Sequence, residues 1–205
     1  MGFLREFFGP PKEEVWGKLA EQVQGQFTDG GFCGRSKVVV QTDNWTLTLD
    51  TYTVSTGKSS ATYTRMRAPY VNADNLQFTI YPEGFFSPLG RMLGMQDISI
   101  GDPRFDEAYV IKGNDEAKVR KFFDDEKLKS LLHAQNDLSF TFQVKDDEGW
   151  FNSTFPEGVD ELYFQQGGVI KDLGQLRALF DLFSYALHRL CLLGSAYEKD
   201  PGMTL

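Results

Sequence analysis

Cysteine is scarce in this chain: Cys33 and Cys191 are the 2 present among 205 residues. Far apart in sequence, they supply neither a disulfide framework nor a Cys-x-x-Cys metal or redox pair, which fits a reducing, cytoplasmic setting. Histidine is equally thin, limited to His133 and His188, so imidazole ligands for a metal are in short supply. Basic charge is also in deficit, with 21 Lys plus Arg against 29 Asp plus Glu and a net charge of −8. Such a surface repels a phosphate backbone and argues against duplex nucleic acid as a partner.

Long apolar runs are missing as well. A membrane-spanning helix needs about 18 or more consecutive apolar residues, whereas the most apolar stretch, 173–193, is broken by Arg177, Asp181, His188 and Arg189. No transmembrane segment is expected. The first residues carry Arg5 and Glu6 where a signal peptide has a basic region and then an apolar run. Gly2 invites comparison with a myristoylation site, but Glu6 stands where Ser or Thr is required.

What the chain has in quantity is aromatic side chains: 18 Phe, 8 Tyr and 3 Trp. They imply a core of large flat groups. Size scaling lets a chain of this length bury about 70% of its unfolded surface without staples.

Hydrophobic periodicity divides the sequence into helical and extended stretches. Phe3, Leu4, Phe7 and Phe8 recur at helical spacing before Gly9-Pro10-Pro11 ends that element, making 1–11 a separate aromatic segment. An amphipathic helix is predicted over 12–27, with Val15, Trp16, Leu19, Val23 and Phe27 on its apolar face. Across 37–82 the period becomes two, as in Trp45, Leu47 and Leu49 against Thr46, Thr48 and Asp50, and a four-stranded antiparallel meander is expected. A strand over 107–112 follows. Gly113-Asn114-Asp115 reads as the start of a helix reaching about His133. Leu138, Phe140, Phe142 and Val144 mark another strand, 161–170 its hairpin partner, and 172–193 a final helix.

The fold class expected is α+β, with antiparallel sheet packed against helices in a single domain over 12–205. Helix followed by strands occurs twice, so 12–112 and 113–197 are candidate lobes sharing one core. Strands grouped without intervening helices disfavour a parallel βαβ sheet and its nucleotide crevice.

Tempting motifs fail on physical grounds. Thr56-Gly57-Lys58-Ser59 resembles the tail of a phosphate-binding loop, but Tyr52 replaces the required glycine and strands flank both sides, which predicts a hairpin turn. Leu162-Tyr163-Phe164-Gln165 resembles a protease tag but sits within an alternating stretch, and reads as native strand. Asp146-Asp147-Glu148-Gly149 lacks the alternate ligand spacing of a calcium loop. No Gly-x-Ser-x-Gly elbow is present. Cys191 falls on the apolar stripe of the last helix, while Cys33, in a loop, is the better candidate for a reactive thiol.

One pattern does point to a site. Alternation through 61–69 places Tyr63, Arg65 and Arg67 on one face of a strand, opposite Thr62, Thr64, Met66 and Ala68. Guanidinium forks bind carboxylate and phosphate in bidentate geometry, so Tyr63, Arg65 and Arg67 are the candidate ligand-binding residues. Pairing of the two arginines with acids on neighbouring strands is the competing reading.

The stretch from Leu93 to Arg120, with its Arg104-Phe105-Asp106-Glu107 and Lys112-Gly113-Asn114-Asp115-Glu116 segments, and the Thr62-Tyr63-Thr64-Arg65 strand resemble a pattern found in uncharacterised bacterial proteins of a domain-of-unknown-function family. The resemblance implies a bacterial source and carries no catalytic residue with it.

The expectation is therefore a soluble, acidic, non-enzymatic interaction or scaffold domain without cofactor or metal, acting through a protein partner. The alternative is an enzyme, or a metal- or small-anion-binding protein, using loop carboxylates such as Asp102 and Asp106 or the Arg/Tyr face. Membrane-surface contact through Phe3, Leu4, Phe7 and Phe8 is a third route, opposed by the negative charge.

Overall fold

In the computed structural model the described residues are 9–31, 35–55, 57–85, 95–135, 139–146, 155–203 and 205. The aromatic stretch Phe3, Leu4, Phe7 and Phe8, as well as Cys33, lie outside them. The elements run α1 (Lys12–Gln22), β1 (Gln26–Thr28), β2 (Lys37–Thr42), β3 (Trp45–Ser55), β4 (Ser60–Asn72) and β5 (Phe78–Pro82). There follow β6 (Gln96–Asp97), α2 (Pro103–Ala108), β7 (Tyr109–Gly113), α3 (Glu116–Phe123) and α4 (Glu126–His133). Last come β8 (Phe140–Asp146), β9 (Val159–Gly167), α5 (Leu173–Leu192) and β10 (Ala196–Tyr197).

The strands form one 10-stranded sheet in the order β1-β2-β3-β4-β9-β8-β5-β7-β6, with β10 beside β4. Every pair of strands is antiparallel, so the architecture is α+β with an antiparallel sheet. The β2 to β4 meander matches the alternation in sequence, and β1 adds a strand where the expected helix ends. The strand expected to complete it does not: β5 pairs with β8 and β7, because β9 and β8 are inserted between β4 and β5. The strands of 12–112 and of 113–197 thus interleave in a single sheet.

Period-two side chains give the sheet two unlike faces. One carries Leu47, Leu49, Met66, Ala68, Leu162, Phe164, Phe142 and Ile80, all buried. Helices cover it: Phe183 of α5 meets Phe142 edge-on at 5.8 Å, and Phe122 and Phe123 of α3 flank Phe78 at 4.8 and 5.2 Å. From α1, Trp16 is fully buried and donates its indole N–H to the Ile170 carbonyl at 3.1 Å. Burying each such large side chain contributes about 1.5–3 kcal/mol, and edge-to-face aromatic pairs add to that.

Helix α1 is shorter than its apolar pattern. Phe27 lies on β1, opposite Val38, because the chain leaves the helix through Gln24 at φ +54°. Gly25 then passes so close to β2 that a Cβ there would sit 2.7 Å from Val40 Cγ2, so only glycine fits where the backbone turns into the sheet.

The single helix expected to His133 is two. Asp125 breaks it by accepting from the Leu128 amide at 2.9 Å as the first cap of α4. Aspartate serves the same role at α2, α3 and α5, through Asp102, Asp115 and Asp172. A carboxylate there satisfies amides that have no partner inside the helix and meets the positive end of its dipole.

Candidate polar site on the second sheet face

The second sheet face is polar, and the register sets its side chains in rows. Asp50, Arg65 and Gln165 stand opposite one another across β3, β4 and β9. The next row runs Thr48, Arg67, Tyr163, Gln143 and Thr79 across five strands. Tyr52 and Tyr63 begin the row on the other side.

Asp50 organises this surface. Its two carboxylate oxygens accept from Arg65 Nε and Nη2, both at 2.7 Å, in fork-to-fork geometry. Arg67 Nη2 donates to the same carboxylate at 3.1 Å. Asp50 is 5% exposed, so the pair is largely shielded from water, where charge-assisted bonds are strongest. Burial works against the charge of Arg65, but the bond to Asp50 outweighs it and holds the guanidinium above its ordinary value. The sequence therefore placed Tyr63, Arg65 and Arg67 on the correct face, and the structure shows both arginines paired across the strand. Asp50 was the residue missed: alternation put it on this face, but only the β3–β4 register sets it against Arg65.

Aromatic side chains frame the cluster. Tyr52 and Tyr63 stack at 5.3 Å, and the Arg65 guanidinium lies 5.0 Å from the Tyr52 ring, within cation–π range. Gln165 Oε1 accepts from Tyr52 at 2.7 Å and from Tyr163 at 3.0 Å. Burial, first, and its neighbour Tyr52 raise the Tyr163 phenol well above its ordinary value. Lys145 lies 4.1 Å from the Tyr163 ring and 3.2 Å from Glu161.

Two plus charges thus share one minus charge. The surplus has a structural counterpart: Arg67 Nε and Thr48 Oγ1 are buried with no hydrogen-bond partner among the described residues. They belong to directly opposed residues of β3 and β4. Leaving such groups unsatisfied costs about 1–3 kcal/mol each.

The carboxylates of the alternative reading have structural tasks. Asp102 accepts from the Arg104 and Phe105 amides and from Lys129, whose bond at 2.6 Å is the main cause of its lowered pKa. Asp106 gathers the Ser99 hydroxyl and the Ile100 and Gly101 amides beside an open cavity of about 320 Å³ that Glu83, Asp97 and Tyr109 also line. His133 Nδ1 is 3.1 Å from the Tyr109 hydroxyl, and His188 is 3.1 Å from Asp43 and edge-on to Trp45. Among the described residues no group of 3 or more His, Cys, Asp and Glu could hold a metal ion. Cys191 is half-buried against the core, and burial pushes its thiol up to about 11. Of the Thr56–Ser59 motif, Thr56 lies outside the described residues and Gly57, Lys58 and Ser59 fall between β3 and β4, and 162–165 is native strand, with Leu162 and Phe164 in the core.

This geometry defines an antiparallel α+β domain with one helix-covered face and one polar face bearing a paired-arginine cluster. Neither a family model nor a curated protein matches the chain. Among solved structures it is similar to the mycobacterial trehalose monomycolate transport factor A, with a TM-score of 0.53 and 11% identity. The match covers 91% of this chain and 98% of that one, so the two share the fold over nearly their whole lengths. Among the described residues no helix is long and apolar enough to cross a membrane.

Proposed function

We propose that this protein is a non-enzymatic interaction domain that receives an acidic group of a partner on the Tyr63, Arg65 and Arg67 face. The observation that carries this reading is the charge imbalance at Asp50, where two guanidiniums share one carboxylate and Arg67 Nε is left without a partner. A carboxylate or phosphate oxygen would satisfy that donor together with the Thr48 hydroxyl once the side chains over these buried atoms move aside, and the Asp50–Arg65 row would stand between it and the stacked Tyr52–Tyr63 pair. The fold likeness to a mycobacterial transport factor agrees with a helper role in a larger bacterial system. A surface already ordered by ion pairs binds with little further loss of side-chain freedom.

Calorimetric titration of the protein with inorganic phosphate and with a short glutamate-rich peptide tests the reading. Saturable binding is expected, weakened by about tenfold or more in the Arg65→Ala/Arg67→Ala variant. Asp50→Asn frees both guanidiniums and should tighten binding while it destabilises the fold. Affinities that none of these substitutions changes would sink the proposal.

A further inference from the structure

The β3–β4 hairpin reaches beyond the rest of the sheet. Strand β2 pairs with β3 only up to Asp50, so among the described residues no strand lies beside Thr51–Ser55 on the side away from β4. The other edge of the hairpin is sealed further along, since Gly168 donates to the Thr62 carbonyl at 2.7 Å and bridges Tyr63. Thr53, Val54 and Ser55 are exposed.

Proteins blunt such edges with very short strands, charges or proline. The two ends of this sheet obey that rule: β1 has 3 residues and β6 has 2, one of them Asp97. The Thr51–Ser55 edge does not. Its sequence, Thr-Tyr-Thr-Val-Ser, has no charge and no proline and is made of good strand formers.

The surroundings of this edge select for charge. Residues 35–67 hold five basic side chains (Arg35, Lys37, Lys58, Arg65, Arg67) and two acidic ones (Asp43, Asp50) in a chain of net charge −8. Asp50 is held by the arginines, and Asp43 lies against His188. Lys12 of α1 reaches Thr51 Oγ1 at 3.3 Å, although Glu13 is also 3.7 Å from it. Alternation puts Thr51 and Thr53 on the Lys12 side and Tyr52 and Val54 on the other.

We infer that the outer edge of β3 over Thr51–Ser55 accepts an extended acidic segment of a partner protein as an added strand. Main-chain hydrogen bonds would supply affinity and alternate side chains the specificity. The segment that fits alternates acidic residues, facing Lys12 and the tip lysine Lys58, with apolar ones, resting on Tyr52 and Val54. This inference rests on the open edge and stands apart from the Arg65 and Arg67 reading.

The probe is a labelled peptide of alternating Glu and Val, followed by fluorescence anisotropy on the full chain, with hydrogen exchange on the complex. Binding is expected to fall by about tenfold or more when alternate peptide amides facing the edge are N-methylated. It should fall also for Val54→Glu, an exposed substitution that leaves the core intact. Exchange should slow at Thr51–Ser55. The Arg65→Ala/Arg67→Ala variant should keep its sensitivity to N-methylation, which separates this inference from the proposed function. Equal binding of the N-methylated peptide, unchanged exchange at Thr51–Ser55, a Lys and Val peptide binding as well as the acidic one, or no binding by wild type would each overturn it.

Discussion

Arg189 of α5 binds Asp125, and through that bond joins the end of one helix to the start of the next. Its Nη1 donates to the Asp125 carboxylate at 2.8 Å, while Nε and Nη2 donate to the Phe122 and Lys121 carbonyls released at the end of α3. The same Asp125 caps α4 and accepts from Tyr185 at 3.0 Å. One guanidinium therefore satisfies carbonyls and carboxylate at a helix break that would otherwise present unpaired groups.

Arg189→Ala should cost about 2–4 kcal/mol, because it removes several charge-assisted bonds at once and leaves Asp125 less compensated. Arg189→Lys, which cannot reach three acceptors in a plane, should recover only part of the loss. Urea denaturation of the three proteins decides this; equal midpoints for Ala and Lys would refute the planar role.

Acid should weaken the fold in a way traceable to two aspartates. Burial raises the pKa of Asp125, but the Leu128 amide, Tyr185 and Arg189 more than offset it, leaving the carboxyl below its ordinary 3.8. Asp74 is also lowered: burial opposes ionisation, and Lys118, Ser195 and the Leu76 amide prevail. A carboxyl with a depressed folded pKa contributes stability that is present above the unfolded value and lost as pH falls through the folded one. Stability measured by urea melts should thus decline below the ordinary aspartate value of 3.8, and Asp125→Asn should flatten part of that decline. An unchanged slope in the variant would contradict the assignment.

The Asp50 cluster should behave as one unit. Asp50→Asn leaves two shielded guanidiniums without their counter-charge and should cost about 3–5 kcal/mol, more than Arg67→Ala alone. A double-mutant cycle between Asp50 and Arg65 should return a coupling of about 1 kcal/mol or more. Additive losses would mean that the fork-to-fork bond carries no stability of its own.

Gly113 is required for packing. A Cβ there would lie 2.8 Å from Val119 Cγ2 and 3.1 Å from Ile98 Cδ1, where β7 passes beneath α3. Gly113→Ala should destabilise by about 1–3 kcal/mol through overpacking, and the additional variant Val119→Ala should restore part of it. Thermal melts of the single and double variants test the compensation.

These features were unequally visible in the residues alone. Alternation assigned Met66 and Ala68 to the core and Arg65 and Arg67 to the opposite face, since a half-buried strand writes its faces into every second position. The same rule cannot name a strand's neighbour. Leu76, Phe78 and Ile80 announced β5, yet nothing local says that β8 and β9 separate it from β4. Asp50 was legible as a residue of the polar face, but its meeting with Arg65 depends on the length of the 56–59 turn. The break at Asp124 and Asp125 is written in the phase of the apolar positions: Leu128 follows Phe122 by six residues, so Leu128 and Leu132 leave the stripe that Val119, Phe122 and Phe123 begin. The cue was there in Asp125 followed by Glu126, a helix start placed inside an apparent helix.

The insertion of β8 and β9 between β4 and β5 bears on how the chain reaches this structure. When synthesis has passed β7, the sheet exists only as two separate pieces, β1 to β4 and β5 to β7, each with an unsatisfied inner edge. They become one only after β8 and β9 slide between them, β9 lying 88 to 102 residues beyond its partners in β4. Closing such distant pairings costs loop entropy before any contact repays it. Folding should be slow, cooperative and late, and nascent chains ending before Val159–Gly167 should be the species most prone to aggregate and most dependent on chaperones.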